Sequence, residues 1–245
     1  MAKNEYIYET RGFAKEYAPL AVNIYTGCPH GCWYCSVPGT LKKNVKDLRT
    51  DIRPRKDIVN GVRRQLEKEN FEGELVHLCF TCDPYPTGYD SAPTREIIKL
   101  LKAHGAKVQI LTKGRGTRDF DLLDDNDWYG VTIDGSCSGS VLEGYISDIR
   151  AAKAKGIHTW VSFEPVIDTT VVLDIIKKHH ELFDKVKIGR LNHFDSDADW
   201  DRYDGDSTKI RNIDWKKFGN DAVKLCESVG LEYYIKKTLR DAMEA

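Results

Sequence analysis

Short apolar runs alternate with longer segments of helical spacing along most of this chain. The apolar runs predict six strands, at Leu20–Tyr25, Leu75–Phe80, Lys107–Thr112, Tyr129–Ile133, His158–Phe163 and Lys185–Ile188. The segments between them predict helices at Lys56–Glu69, Pro93–His104, Thr117–Leu123, Val141–Lys155 and Thr169–Glu181. Strands and helices that alternate in this way are typical of a parallel sheet in an α/β fold.

The rest of the chain is predicted to extend this strand–helix core. Asp195–Asp214 is polar and rich in aspartate, which predicts a long surface loop, and a last helix at Asp214–Val229 precedes a short run at Glu232–Lys236. We expect one domain over residues 1–245, with its core at about 16–192 and an extension of loop and helix at 193–245. A chain of 245 residues is long enough for a single large core.

Composition excludes few classes of function, but it bears on nucleic-acid binding, membrane insertion and the cellular compartment. The formal net charge is −1, so the chain as a whole has no electrostatic footprint for nucleic acid. It has no run of 18 apolar residues and no apolar signal region near Met1, so we expect neither a membrane span nor a leader. Seven cysteines, an odd number, fit a reducing cytoplasm better than a disulfide framework.

Three of those cysteines form the most informative motif. Cys28, Cys32 and Cys35 have the spacing C-x3-C-x2-C, and thiolates are the protein ligands of iron–sulfur clusters. Three ligands on a cubane [4Fe–4S] cluster leave one iron open, as a reactive metal site requires. Zinc and disulfides are the alternatives, but zinc usually takes four ligands, and His30 would have to crowd into the same loop.

The cysteine spacing resembles that of the radical S-adenosylmethionine (SAM) enzymes. The resemblance implies that the open iron holds the amino and carboxylate groups of SAM. It implies that reductive cleavage of SAM gives methionine and a 5′-deoxyadenosyl radical. It further implies a partial (β/α)6 barrel, and an electron donor such as a flavodoxin or ferredoxin as partner. The expected fold class is thus α/β, with six parallel strand–helix units.

Polar residues follow several predicted strands, where barrels of this kind place their sites. Asp83 could bind an ammonium group, and Lys113 could pair with a carboxylate. The resemblance implies that the position of Asp83 holds the methionine amino group and that Lys113 contacts SAM. Asp134 suits a ribose, and Glu164 is a second acceptor. Asp83 has an ordinary alternative as a turn aspartate before proline, and Glu164 has one as a solvated loop residue. Two further candidates for substrate contact follow the sixth strand, Arg190 and Asn192.

Further motifs narrow the resemblance to the spore photoproduct lyase-like branch of the superfamily. They lie in order between residues 16 and 192: Glu16-Tyr-Ala18, Thr81-Cys-Asp-Pro84, Leu111-Thr-Lys113, Arg118-Asp119 and Phe163-Glu-Pro165. Several motifs in series are more specific than one. The branch implies that Tyr34 lies beside the adenine, that Thr81 or Cys82 contacts SAM, and that Thr132 lies near the ribose.

The branch also implies a thiol that returns a hydrogen atom to the product. Cys82, at a strand end, is the candidate, whereas Cys79 suits a buried strand position. We therefore expect a radical SAM enzyme that abstracts a hydrogen atom from an organic substrate, with a nucleic-acid base or nucleotide as the candidate class. The alternatives are an iron–sulfur or zinc binding protein without turnover, and an electron-transfer subunit.

Overall fold

The structure, a computed structural model, describes residues 5–192, 194, 200–201 and 207–245. Its strands are β1 (Ile7–Glu9), β2 (Leu20–Val22), β3 (Tyr25–Thr26), β4 (Arg53–Pro54), β5 (Leu75–Leu78), β6 (Lys107–Thr112), β7 (Trp128–Thr132), β8 (His158–Phe163), β9 (Lys185–Ile188) and β10 (Glu232–Ile235). Its helices are α1 (Val37–Leu41), α2 (Val45–Thr50), α3 (Ile58–Leu66), α4 (Ala92–Ala103), α5 (Gly139–Ala154), α6 (Thr169–His179), α7 (Thr208–Arg211), α8 (Trp215–Ser228) and α9 (Lys237–Glu244).

Eight of the strands form one sheet in the order β1-β2-β5-β6-β7-β8-β9-β10, while β3 and β4 pair separately. The pairs β2–β5, β5–β6, β8–β9 and β9–β10 are parallel, and β1 pairs with β2 antiparallel. The predicted α/β class with a parallel sheet is therefore confirmed. The two strands beyond the predicted six are β1 and β10, which occupy the two ends of the order.

The chain divides into two compact units. The first consists of Met1–Gly31, Cys35–Tyr129 and Lys155–Ile157. The second consists of Cys32–Tyr34, Gly130–Ala154 and His158–Ala245. This division does not test the expectation of a single domain over residues 1–245, which stays a prediction.

In the first unit, helices α3 and α4 contribute to the apolar core along with strands β5 and β6. Val76 and Leu78 of β5 are fully buried, as are Val108 and Ile110 of β6. Parallel strands that are buried on both faces consist of continuous apolar runs. Such runs made it possible to predict these strands from the sequence. Helix α4 has a proline in its first turn and is followed by Gly105 at a φ of +73°, the asymmetry expected of helix ends.

In the second unit, strands β8, β9 and β10 pair in parallel, so their carboxyl ends lie at one edge. Trp160 of β8 is 1% exposed and is among the largest fully buried side chains. A Cβ added to Gly130 of β7 would lie 2.3 Å from its Nε1. The missing side chain at residue 130 therefore makes room for the indole ring.

Two elements of the structure differ from those predicted from the sequence. The helix predicted at Thr117–Leu123 is wrong, because only a 3-10 turn at Thr117–Asp119 forms. Asp119 is fully buried there and binds Arg95 and the Tyr85 hydroxyl, so tertiary contacts shape this segment. The strand predicted at Leu20–Tyr25 is split into β2 and β3 by residues 23–24.

The C-terminal predictions are matched where the structure describes the chain. Helix α8 and strand β10 fall on the predicted helix and the predicted short run. The predicted loop Asp195–Asp214 lies largely outside the described residues, and its described part contains α7. Among the described residues, no helix is both long and apolar enough to cross a membrane.

Overpacking beside Trp160 gives a direct test of the second unit's core. Gly130→Ala is expected to lower the free energy of unfolding by about 1–3 kcal/mol, because the new methyl group overlaps the indole. Gly39→Ala is the control, since a Cβ added at Gly39 would meet no atom within 4 Å. Urea unfolding measures both variants, and a Gly130→Ala protein as stable as the wild type would contradict this packing.

Candidate functional site

The cysteine motif lies in the loop between β3 and α1. Gly27, just before the first cysteine, has a φ of +73°, and a Cβ there would lie 2.6 Å from the carbonyl oxygen of Asp51. The Cys28 N–H donates to the carbonyl of Leu48 over 2.8 Å. Close approach of two backbone segments therefore requires glycine at position 27 and holds the start of the loop against the end of α2.

The motif thiols are chemically suited to ligate a metal. Cys28, Cys32 and Cys35 are half-buried and form no disulfide. In the part of the chain that the structure describes, no three His, Cys, Asp or Glu side chains are gathered as they would be around a metal ion. The thiols are thus candidate ligands by type and spacing. A set of three thiols fits an iron–sulfur cluster with an open iron, whereas a structural zinc site is closed by four ligands.

A histidine inside the motif contacts a strand-end carboxylate in the first unit. His30 Nε2 lies 3.2 Å from Asp83 Oδ2, at ion-pair distance but without the alignment of a hydrogen bond. Both side chains are almost buried, with 11% and 8% exposed. The residue considered as a fourth zinc ligand therefore approaches a carboxylate.

Asp83 is held by three donors at the ends of β5 and β6. Its Oδ1 accepts from the Thr112 hydroxyl at 2.5 Å and from the Tyr85 N–H at 2.8 Å, and its Oδ2 accepts from the Lys113 N–H at 2.8 Å. A buried carboxylate is tolerated only when it is bonded in this way. The network fixes the loop after β5 against the end of β6. It brings two predicted site residues, Asp83 and Lys113, together.

Two thiols lie close together in the same region of the first unit. Cys79 Sγ accepts from the Ile24 N–H at 3.5 Å, and Cys82 Sγ accepts from the Tyr25 N–H at 3.4 Å. Cys79 is buried, and its backbone has a φ of +70°, which is uncommon outside glycine. Burial raises the pKa of Cys79 well above its usual range, and the neighbouring Cys82 raises it further. Cys82 is half-buried.

Asn23 shapes the chain around these thiols. Its Oδ1 accepts from the N–H groups of Phe80 at 2.8 Å and Thr81 at 2.9 Å, and its Nδ2 donates to the Tyr8 hydroxyl at 2.7 Å. The amide side chain replaces strand pairing at the point where β2 ends, which explains the split of the predicted first strand. It also fixes the backbone of Thr81, another predicted SAM contact.

In the second unit, a tyrosine of the motif contacts another strand-end carboxylate. The Tyr34 hydroxyl donates to Asp134 Oδ2 at 2.5 Å, while Asp134 Oδ1 accepts from the N–H and hydroxyl of Ser136 at 2.9 Å and 2.7 Å. Burial raises the pKa of Tyr34, and the charges of Asp134 and Cys32 raise it further. The phenol therefore stays neutral and donates. Thr132, the predicted ribose contact, is 9% exposed at the end of β7.

A buried ion pair marks the carboxyl edge of β8, β9 and β10. Lys236 Nζ lies 3.2 Å from Glu164 Oε2, and the lysine side chain is 3% exposed. A Cβ on Gly189 would lie 3.0 Å from Lys236 and 3.1 Å from Glu164, so a small residue accommodates the pair. The charge of the predicted acceptor Glu164 is thus neutralised by Lys236, which lies 72 positions later in the sequence (236 − 164).

The predicted site residues fall into two sets, one in each unit. The first unit contains Thr81, Cys82, Asp83 and Lys113, and the second contains Tyr34, Thr132, Asp134 and Glu164. Sequence reasoning missed the roles of His30, Asn23 and Lys236. The positions of His30 and Tyr34 inside the cysteine motif were a signal of function. Their partners could not be predicted, because Asp83 lies 53 positions after His30 (83 − 30) and Asp134 lies 100 positions after Tyr34 (134 − 34).

Comparison with known proteins identifies the family. The sequence profile of the radical SAM superfamily matches residues 22–187, more than half of the chain. The protein therefore belongs to the radical SAM superfamily. Membership implies SAM and an iron–sulfur cluster as cofactors.

Solved structures share the fold. Spore photoproduct lyase complexed with dinucleoside spore photoproduct has a TM-score of 0.68 and 14% identity, over 96% of this chain and 80% of that chain. Streptococcus suis SuiB bound to S-adenosylmethionine has a TM-score of 0.60 and 12% identity, over 91% and 51%. The expected partial-barrel fold, similar to that of the spore photoproduct lyase, is thereby confirmed.

A curated relative matches a shorter stretch. An uncharacterized protein of Mycobacterium tuberculosis (strain ATCC 25618 / H37Rv) is 32% identical over 106 residues, 38% of this chain. An uncharacterized protein of Mycobacterium bovis (strain ATCC BAA-935 / AF2122/97) matches to the same extent. The match spans only 29% of the length of each relative.

The Asp83 network predicts a stability difference between two aspartates with the same local turn. Asp83→Asn is expected to lower the free energy of unfolding by about 1–3 kcal/mol, because the new NH2 group faces N–H donors. Asp90→Asn is the matched control, since the exposed Asp90 side chain closes the same turn by accepting from the Ala92 N–H at 2.8 Å, its one side-chain hydrogen bond among the described residues. Equal urea unfolding curves for the two variants would contradict the role assigned to Asp83.

Proposed function

We propose that this protein holds a [4Fe–4S] cluster on Cys28, Cys32 and Cys35 and cleaves SAM to abstract a hydrogen atom from an organic substrate. The observation that carries the proposal is the contact of two residues within the cysteine motif with strand-end carboxylates, His30 with Asp83 and Tyr34 with Asp134. Such contacts orient a ligand loop at the strand ends, where barrels of this kind hold their substrates.

Cluster and SAM together supply a 5′-deoxyadenosyl radical when bound. The chain's own residues have to bind and orient SAM. We assign Thr81, Cys82, Asp83 and Lys113 to this task in the first unit, and Tyr34, Thr132, Asp134 and Glu164 in the second. An ionised carboxylate has about four acceptor sites. Because Asp83 already accepts three hydrogen bonds and its Oδ2 lies 3.2 Å from His30 Nε2, it holds its loop, and an ammonium group would have to share Oδ2 with His30.

Cys82 is the proposed hydrogen-atom donor. Its S–H bond breaks homolytically as a C–H bond forms on the substrate radical, which leaves a thiyl radical on Cys82. Three observations support this choice over Cys79: the partial exposure of Cys82, its position after the end of β5, and the burial of Cys79.

The substrate class is proposed to be a nucleic-acid base or nucleotide. Support comes from the similar fold of spore photoproduct lyase, whose structure contains a dinucleoside spore photoproduct. A flavodoxin or ferredoxin is the proposed electron donor. The cytoplasmic location stays a prediction, supported by seven cysteines of which none forms a disulfide in the described residues.

Removal of any motif thiol is expected to abolish cluster binding and SAM cleavage. An open cluster has no spare protein ligand, so Cys28→Ala, Cys32→Ala and Cys35→Ala should each lose reductive formation of 5′-deoxyadenosine. Cys137→Ala is the matched control, a cysteine of similar exposure outside the motif. Iron content and 5′-deoxyadenosine are measured after anaerobic reconstitution. A triple alanine variant that still cleaves SAM would overturn the proposal, and iron binding without cleavage in the wild type would favour a non-catalytic protein.

Hydrogen return can be followed with deuterium. The dinucleoside spore photoproduct serves as the probe substrate in D2O, where thiol protons exchange. The wild-type product is expected to contain one deuterium atom, and Cys82→Ala is expected to lose this label and to consume more SAM per product. Cys79→Ala is the control and should keep the label. An unlabelled wild-type product, or full label in Cys82→Ala, would exclude Cys82 as the donor.

A further inference from the structure

Two thiols of the first unit form a C-x-x-C pair. Cys79 and Cys82 flank Phe80 and Thr81 in the loop after β5, and they are the two cysteines of this unit that lie outside the cluster motif. Side chains three positions apart on an extended strand point to opposite faces of the sheet. A C-x-x-C sequence in an α/β fold acts as a redox-active dithiol only if the backbone brings both sulfur atoms to one side.

The backbone turns at the first cysteine of the pair. Strand β5 ends at Leu78, and Cys79 has a φ of +70°, a conformation that glycine adopts readily and that residues with a Cβ disfavour. Residues held in such sparsely populated conformations are concentrated at functional sites. A cysteine therefore stands where the backbone alone would favour glycine.

The end of β2 holds the loop between the two cysteines. The Cys79 N–H donates to the Val22 carbonyl at 2.9 Å. The N–H groups of Phe80 and Thr81 both donate to Asn23 Oδ1, at 2.8 Å and 2.9 Å. Successive N–H groups converge in this way only on a curled backbone. The loop is therefore fixed in a curled form.

Both sulfur atoms lie against the next two residues of the chain after Asn23. Cys79 Sγ accepts from the Ile24 N–H at 3.5 Å, and Cys82 Sγ accepts from the Tyr25 N–H at 3.4 Å. The two thiols also interact, since burial raises the pKa of Cys79 and the Cys82 side chain raises it further. The curled loop thus brings together two thiols that an extended strand would separate.

The two thiols differ in their access to solvent. Cys79 is 5% exposed, whereas Cys82 is half-buried. In thiol–disulfide exchange an accessible thiolate attacks first, and a second thiol then resolves the mixed disulfide. Cys82 is suited to the first step, and Cys79 is suited to the second.

We propose that Cys79 and Cys82 form a redox-active dithiol that exchanges with low-molecular-weight disulfides and closes to an intramolecular disulfide. The Cys82 thiolate attacks a disulfide such as oxidised glutathione, whose S–S bond breaks and releases one glutathione thiolate. Cys79 then attacks the Cys82 sulfur, its proton passes to the second glutathione thiolate, and the bond between the two cysteines forms. Two protein thiols are oxidised, and one external disulfide is reduced to two thiols.

Closure of this disulfide removes the hydrogen atom that the proposed function requires. Cys82 has no S–H bond while it is bonded to Cys79, so the proposed hydrogen return stops until a thiol reduces the pair. This consequence rests on the proposed function, whereas formation of the disulfide does not.

Peptide mass spectrometry of the reconstituted holoprotein tests the dithiol. The protein is equilibrated under nitrogen with glutathione buffers, its free thiols are blocked, and it is digested with trypsin. Lys68 and Arg95 are successive tryptic sites, so the peptide 69–95 contains Cys79 and Cys82 and no other cysteine. This peptide is expected to become lighter by two hydrogen atoms. At constant oxidised glutathione, its ratio of disulfide to dithiol should fall with the square of the reduced glutathione concentration, whereas a glutathione adduct falls with the first power.

Two variants and an internal reference locate the disulfide. Cys79→Gly, which suits a φ of +70°, should leave Cys82 with a glutathione adduct only, because the resolving thiol is absent. Cys82→Ser should leave the buried Cys79 unmodified. Cys137 is half-buried like Cys82 and is the single cysteine of the tryptic peptide 119–150, so it is the reference and should form at most a glutathione adduct.

Two results would overturn the proposal. One is a 69–95 peptide that keeps both thiols in every buffer or carries glutathione without losing two hydrogen atoms. The other is a glutathione adduct on Cys79 in Cys82→Ser. Reductive formation of 5′-deoxyadenosine is measured on the same samples. Disulfide formation without SAM cleavage would keep the dithiol and remove the proposed function, whereas SAM cleavage without disulfide formation would remove the dithiol alone.

Discussion

Two buried carboxylates, Asp83 after β5 and Asp134 after β7, hold the strand-end loops and contact the cysteine motif. Asp83 and Asp134 each accept from the N–H group two residues ahead, which closes a turn directly after a strand. In its own unit, each also contacts a residue of the cysteine motif, His30 or Tyr34. Because a buried carboxylate needs such partners, each turn and the motif residue that it contacts stabilise one another.

This arrangement explains the spacer residues of the motif. Binding of a cluster requires only that the three cysteines have the right spacing. The residues between them have a second task, because His30 contacts the carboxylate after β5 and Tyr34 contacts the carboxylate after β7. A small residue is also needed where backbones meet, since a Cβ added to Gly27 would lie 2.6 Å from the carbonyl oxygen of Asp51. The motif is therefore a structural unit with its own anchors.

Much of the fold could be predicted from the sequence, because parallel strands are buried on both faces and read as apolar runs. Strands β6, β8 and β9 have the predicted bounds. The segment after β6 was misread as a helix because a distant partner, Arg95, binds the buried Asp119. Site residues at strand ends were predictable by position. Their partners, such as Lys236 for Glu164, were not, since nothing local in the sequence marks a pair formed across the sheet.

Electron paramagnetic resonance tests most directly whether Cys28, Cys32 and Cys35 hold a cluster with an open iron that binds SAM. Spectra of the reduced, anaerobically reconstituted protein are recorded with and without SAM. Binding at the open iron is expected to shift the g values of the cluster signal and, with SAM labelled with 15N at its amino group, to give a hyperfine coupling. A cluster signal that SAM leaves unchanged, or zinc as the only bound metal, would contradict this account.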